Sequence, residues 1–164
     1  MLYEENVPFR LSIIIIGFFL LTSVYMVWIG YRQIVVGPIG TDPAPTWFYF
    51  LFGIFFIGLS WLLYQFKTLV IRIEEKYILL QYGLFKVQIN RENVTSAYLD
   101  TANPLLSYGG WGYRFGAFKG KPRKVLNIPG YPCVVISQKQ TKQEIVFSTS
   151  NPGEIIKILQ PAEE

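Results

Sequence analysis

The chain has 164 residues, 51% of them hydrophobic and 17% aromatic, with a formal net charge of +4, a single cysteine and no histidine. That apolar share exceeds what one soluble domain of this length carries. One cysteine excludes an intramolecular disulfide, and without histidine neither a typical zinc site nor a histidine-based acid–base relay is available.

The apolar excess is confined to the first 66 residues, whose charged side chains are Glu4, Glu5, Arg10, Arg32 and Asp42. Residues 11–31 and 46–66 are two uncharged runs of 21, bounded by Arg10 and Arg32 and by Lys67. About 20 apolar residues in a helix cross a hydrocarbon core of roughly 30 Å, so both runs read as membrane spans. Trp28 and Tyr31, and Trp47, Tyr49, Trp61 and Tyr64, stand near their ends, where interfacial aromatics belong. The first run is longer than a signal-peptide core and meets no small-x-small site before Arg32, which argues against cleavage.

Between the runs, Gly37, Pro38, Gly40, Pro43 and Pro45 favour a turn, so residues 1–66 are expected to form a two-span hairpin. Arg10, Lys67, Arg72 and Lys76 outnumber the loop's Arg32, and this bias predicts a multi-pass protein of the inner or plasma membrane with both termini in the cytoplasm. Neither span holds an ionisable residue that would suggest a proton relay or an ion pathway. Gly53 and Gly58 are spaced one residue too far apart for a small-xxx-small dimer motif.

Residues 67–164 carry thirteen of the fifteen Lys/Arg and eight of the eleven Asp/Glu, a net +5. Short alternating runs at 69–73, 77–82, 85–89, 94–99, 111–115, 124–128, 132–137 and 143–148 are separated by turn residues such as Pro129-Gly130. This spacing predicts an all-β barrel or sandwich of about seven strands rather than βαβ units. Asn151 as N-cap, Pro152 at the first helical position and Glu154 three residues after the cap predict a helix over 151–160, its face of Ile155, Ile158 and Leu159 capping the β domain.

Seven or so strands and a capping helix directly after a two-helix hairpin resemble the bacterial pleckstrin-homology-like (PH-like) domain proteins with paired N-terminal spans. The closest likeness lies in residues 107–160. Ser107-Tyr108-Gly109-Gly110-Trp111-Gly112-Tyr113-Arg114 is similar to the Gly-Trp-Gly-hydrophobic-Arg segment of those families, and residues 147–154 to their strand-to-helix junction. The two prolines Pro129 and Pro132 depart from the freer turn of relatives. The resemblance implies a fold and a membrane context but no reaction, since most members have no assigned function.

The concentrated chemistry is in residues 114–124, where Arg114, Lys119, Lys121, Arg123 and Lys124 accompany Phe115 and Phe118. These seven residues are the candidate contacts to anionic lipid headgroups or a protein partner, against the alternative of a solvated hairpin tip. Residues 116–122 lack the spacing and the Ser/Thr of a phosphate loop, and Gly110-Trp111-Gly112 lacks the βα context of a dinucleotide site. Adjacent carboxylates at Glu74-Glu75 and Glu163-Glu164 form no evident acid–base pair. The alternating Trp111, Tyr113 and Phe115 and the lone Cys133 read as core.

The expectation is therefore a non-catalytic membrane-anchored binding module, with no cofactor, metal or nucleic acid. The alternative is an accessory subunit of a larger membrane complex or homo-oligomer assembled through the spans.

Overall fold

A computed structural model describes residues 1–139 and 141–160, which divide into two compact units: residues 10–67, and residues 1–9 with the chain from 68 onward. Glu163 and Glu164 lie outside the described residues.

The first unit is a pair of helices, α1 (Arg10–Val35) and α2 (Thr46–Gln65). At 1.5 Å per residue they measure about 39 and 30 Å, long and apolar enough to cross a membrane. Only 11% of the most apolar window of each is buried, which distinguishes them from the core helices of a soluble fold. α1 runs four residues past the expected end, because no helix breaker intervenes before Gly37, whose φ of +116° suits glycine. Between the helices the Ser23 hydroxyl donates to the Gly53 carbonyl at 2.9 Å, and Phe19 stacks on Phe56 with centroids 5.7 Å apart. A Cβ at Gly53 would lie 2.9 Å from Val27 Cγ2, so this glycine permits the close approach of α1 to α2.

The second unit holds two sheets. Sheet A is antiparallel in the order β1 (Tyr3–Pro8), β2 (Thr68–Ile73), β3 (Tyr77–Tyr82), β4 (Phe85–Asn90). Sheet B contains β5 (Val94–Leu99), β6 (Gly112–Phe118), β7 (Lys121–Asn127), β8 (Cys133–Gln138) and β9 (Glu144–Ser148), in the order β5-β8-β9-β7-β6. Its strands pair antiparallel except β7 with β9. Two short helices complete the unit, α3 (Pro104–Tyr108) in the stretch between the expected strands at 94–99 and 111–115, and α4 (Pro152–Leu159) near the C-terminus.

All eight expected strands are present with ends displaced by a few residues, and the ninth, β1, is an addition. Residues 1–9 therefore belong with the β unit and not with the helical hairpin, correcting the boundary expected at residue 66. β1 reads Tyr-Glu-Glu-Asn-Val-Pro, with only Val7 fully buried, and its partner begins sixty residues later, so neither alternation nor a local turn advertises it.

Strand parity explains the core. Leu69, Ile71, Ile73, Ile78 and Leu80 of sheet A are fully buried, as are Leu126, Val134, Ile136 and Phe147 of sheet B. β9 is buried on both faces. Its second face lies in a cluster of Val125, Val135, Val146 and Cys133 covered by Tyr108 of α3. Burial pushes the Cys133 thiol up, as befits a small core hydrophobe.

α4 packs Ile155 and Leu159 inward, against β5 and β8. Its N-terminus is not held by the expected capping box, since Asn151 makes no side-chain cap bond. The Glu5 carboxylate of β1 instead ties down the two residues before the cap, accepting from the Thr149 hydroxyl at 2.6 Å and the Ser150 N–H at 2.7 Å. At the other end the Arg91 guanidinium donates to the Ile158 carbonyl at 2.6 Å, where a cation suits the helix dipole.

Burial alone would raise the Glu5 pKa, but the bonds from Thr149 and Ser150 outweigh it and hold the carboxyl below its usual value. The unfolded chain then binds more protons between the folded value and the unfolded value near 4.3, so this contribution is complete above that unfolded value and is lost as pH falls through the folded one. Glu5→Ala is expected to cost about 1.5–3 kcal/mol, the range for a hydrogen bond to a charged group. It should also flatten the acid limb of stability against pH, read from near-ultraviolet circular dichroism melts of the full chain in nanodiscs.

Candidate functional site

The basic stretch is not a loop. β6 continues through Phe118 and β7 begins at Lys121, so the turn is Lys119-Gly120, with φ of +50° and +77°. The hairpin pairs Arg114 with Val125, Phe115 with Lys124, Gly116 with Arg123 and Phe118 with Lys121. Pairing of this kind sends alternate residues to opposite faces, so Arg114, Lys121 and Arg123 share one face, Lys124 stands on the other and Lys119 lies at the turn.

Arg123 falls on the same face as Val125 and is buried, correcting its assignment as a surface contact. Its guanidinium meets the Glu144 carboxylate at 2.8 Å, the Asp100 carboxylate at 3.0 Å and the hydroxyls of Tyr98 and Tyr108. All three charged side chains are only 3% exposed. Lys121 donates to Glu144 at 3.0 Å while remaining largely in solvent. Phe118, half-buried, lies under the guanidinium with its centroid 4.7 Å from Cζ. Arg123, Lys121 and Phe118 thus belong to a nearly neutral internal network.

The network is closed by further donors. Tyr108 donates to Asp100 at 2.7 Å, and Tyr98 and Ser137 donate to Glu144 at 3.0 and 3.3 Å. Burial would raise Glu144, but its bonds to Lys121, Arg123 and Tyr98 hold it below the usual carboxylate range. Burial and the bond to Asp100 push the Tyr108 phenol well above its ordinary value. Clefts of about 250 Å³ and 130 Å³ flank Lys121, both below the size common for small-molecule pockets.

The remaining candidates are exposed or half-exposed. Lys119 is exposed at the tip, Arg114 is exposed with Nε donating to the Trp111 carbonyl at 2.8 Å, and Lys124 is half-exposed with Nζ 5.8 Å from the Phe115 centroid. Phe115 itself is 67% exposed. The aromatic stripe expected in the core is therefore largely at the surface, with Trp111 exposed and Tyr113 half-buried. Register gives the reason: inward rows run Leu99, Val134, Phe147, Leu126, Tyr113 and Ala97, Ile136, Ile145, Lys124, Phe115, and β6 is the last strand of each. At that edge cover ends. Tyr113 stacks on Phe85 of β4 with centroids 4.1 Å apart and meets Phe115 edge-on at 5.5 Å.

Comparison with protein-family models, curated proteins and solved structures finds no match, so the PH-like resemblance stands on its residue motifs alone.

Arg123→Ala leaves two buried carboxylates without their cation, and removal of one partner from such a pair costs about 3–5 kcal/mol. Lys119→Gln, at the exposed tip, is expected to change stability by less than about 0.5 kcal/mol. Parallel melts of the two variants check the division: equal behaviour would contradict it.

Proposed function

We propose that the chain is a non-catalytic, membrane-anchored binding module of PH-like type, whose β domain touches anionic lipid headgroups through the β6–β7 hairpin. The observation that carries this reading is that Arg114, Phe115, Lys119 and Lys124 are exposed or half-exposed on the two faces and the tip of one edge hairpin, with no carboxylate paired to its three cations among the described residues. Each cation close to an anionic surface is worth roughly 1 kcal/mol. Three give about a hundredfold preference for the engaged state, and two spans would already hold the domain at high effective concentration.

The anchor reading is supported by β1. Pro8 and Thr68 are register partners, so the chain leaves the sheet for α1 and returns from α2 at adjacent positions. Helices that both cross a bilayer then return the chain to the side it left, placing both termini on one face, and the cation bias favours the cytoplasmic face of the inner or plasma membrane.

A second reading, an accessory subunit of a membrane complex or a homo-oligomer, is favoured by the uncovered helix surface and by Gly17 and Gly58, where an added Cβ would meet nothing within 4 Å. A protein partner that remains bound in detergent to the spans alone would support it.

The headgroup reading is tested with the full chain in nanodiscs, carrying a fluorophore at Ala117→Cys in a Cys133→Ala background. Ala117 is exposed beside the turn and leaves every cation in place. Nitroxide-headgroup lipid is expected to quench the label when anionic lipid is present, and quenching should fall with added salt or with Arg114→Gln and Lys124→Gln together. Quenching indifferent to lipid charge and salt would overturn the reading.

A further inference from the structure

Four side chains make an exposed aromatic and aliphatic cluster at one end of the β unit. Leu84, in the β3–β4 turn, is 67% exposed, Phe85 42% and Phe115 67%, with Tyr113 stacked on Phe85 and edge-on to Phe115. Phe85 and Tyr113 have the strand parity of the core, so the cluster extends the core outward at its margin.

Its position follows from register. Val7 pairs with Leu69, Leu69 with Tyr82 and Tyr82 with Phe85, so these four residues form one row across sheet A. The neighbouring row begins with Pro8 and Thr68, where the chain departs for α1 and arrives from α2. Adjacent strands lie about 4.8 Å apart, which places Phe85 about 10 Å along the sheet from Leu69. The opposite end of β2, and the Glu74-Glu75 turn beyond it, is about 20 Å away at 3.4 Å per residue.

The surround is basic. Lys124 shares the face of Phe115 and reaches over its ring, while Lys86 and Arg114, next in sequence to Phe85 and Tyr113, project from the opposite faces of the same edge strands. A bilayer interface takes aromatic and aliphatic tips together with cations, and each headgroup layer is only about 5–8 Å deep. A water-soluble ligand offers no reason for this cluster to adjoin the two points of departure for apolar helices.

We infer that Leu84, Phe85, Tyr113 and Phe115 are seated in the headgroup layer as an apolar foot of the β domain, with the bilayer as its partner. The inference rests on the reading of α1 and α2 as membrane spans, and it adds to the charged hairpin a contact that does not need anionic lipid. The foot fixes which end of the sheet meets the surface.

The full chain in nanodiscs is labelled at Leu84→Cys or, as a control, at Glu75→Cys, each in the Cys133→Ala background. Nitroxide-headgroup lipid is expected to quench the label at 84 severalfold more than at 75, in zwitterionic as well as anionic bilayers, and Phe115→Ser should diminish that difference. Equal quenching at the two positions overturns the inference, as does a label at 84 that is shielded in native vesicles yet unquenched in nanodiscs, which would assign the surface to a protein. Failure of the headgroup reading would instead appear at position 117, as quenching indifferent to lipid charge, while the result at 84 stands.

Discussion

The pairing of β1 with β2 is the constraint on which the architecture depends. It joins residues 3–8 to residues 68–73 across everything that lies between them, so the two helices are an insertion in sheet A and not a preceding anchor. Closing a loop of that length costs only about 0.6 kcal/mol more for each doubling, and the helix contacts at Ser23, Gly53 and Phe56 already hold the insertion as a hairpin. Six ladder positions and the buried Val7 are then enough to secure the N-terminus. The same strand carries Glu5 to the start of α4, so one short polar segment fixes the helical insertion's points of departure and the closing helix of the β unit.

Charge is used in two ways within a single hairpin. Lys121 and Arg123 point where Glu144 and Asp100 already stand, and the resulting group is nearly neutral and fully bonded. Burying such a set is tolerable only when every member is satisfied, and the hydroxyls of Tyr98, Tyr108 and Ser137 complete it. Net positive charge in a sequence segment is therefore a poor measure of what remains for a ligand. Arg114, Lys119 and Lys124, on the same strands but lacking carboxylate neighbours, keep their charge for solvent or a surface.

Legibility followed the range of the interactions. Eight strands could be read because alternation and turn residues are local signals, and the two helices because length and polarity suffice. β1 could not, since Glu4, Glu5 and Asn6 acquire strand geometry only from a partner sixty residues on. Arg123 is readable in principle: two positions before Val125 in a strand, it shares that residue's face, but the expected strand begins only at 124 and leaves Arg123 outside the period. The motif at Asn151 predicts the start of the helix but not its bonding, since the side-chain contacts there run from Glu5 to Thr149 and Ser150, ahead of the cap. The aromatics at 113 and 115 have core parity, yet no local pattern tells an edge strand from a central one.

That edge also connects fold to function. A soluble sheet normally protects its last strand with charge, brevity or cover, because an uncovered apolar edge invites association. β6 is seven residues long and leaves Phe115 in the open, but it places Arg114 and Lys124 alongside. Cations on an apolar edge discourage pairing with a like strand, since the second copy brings the same charge. They do not discourage an anionic, partly apolar surface. On the reading proposed above, a domain tethered at one end of its sheet would need little affinity to settle on such a surface, and a few aromatic tips and three cations would suffice to select an orientation.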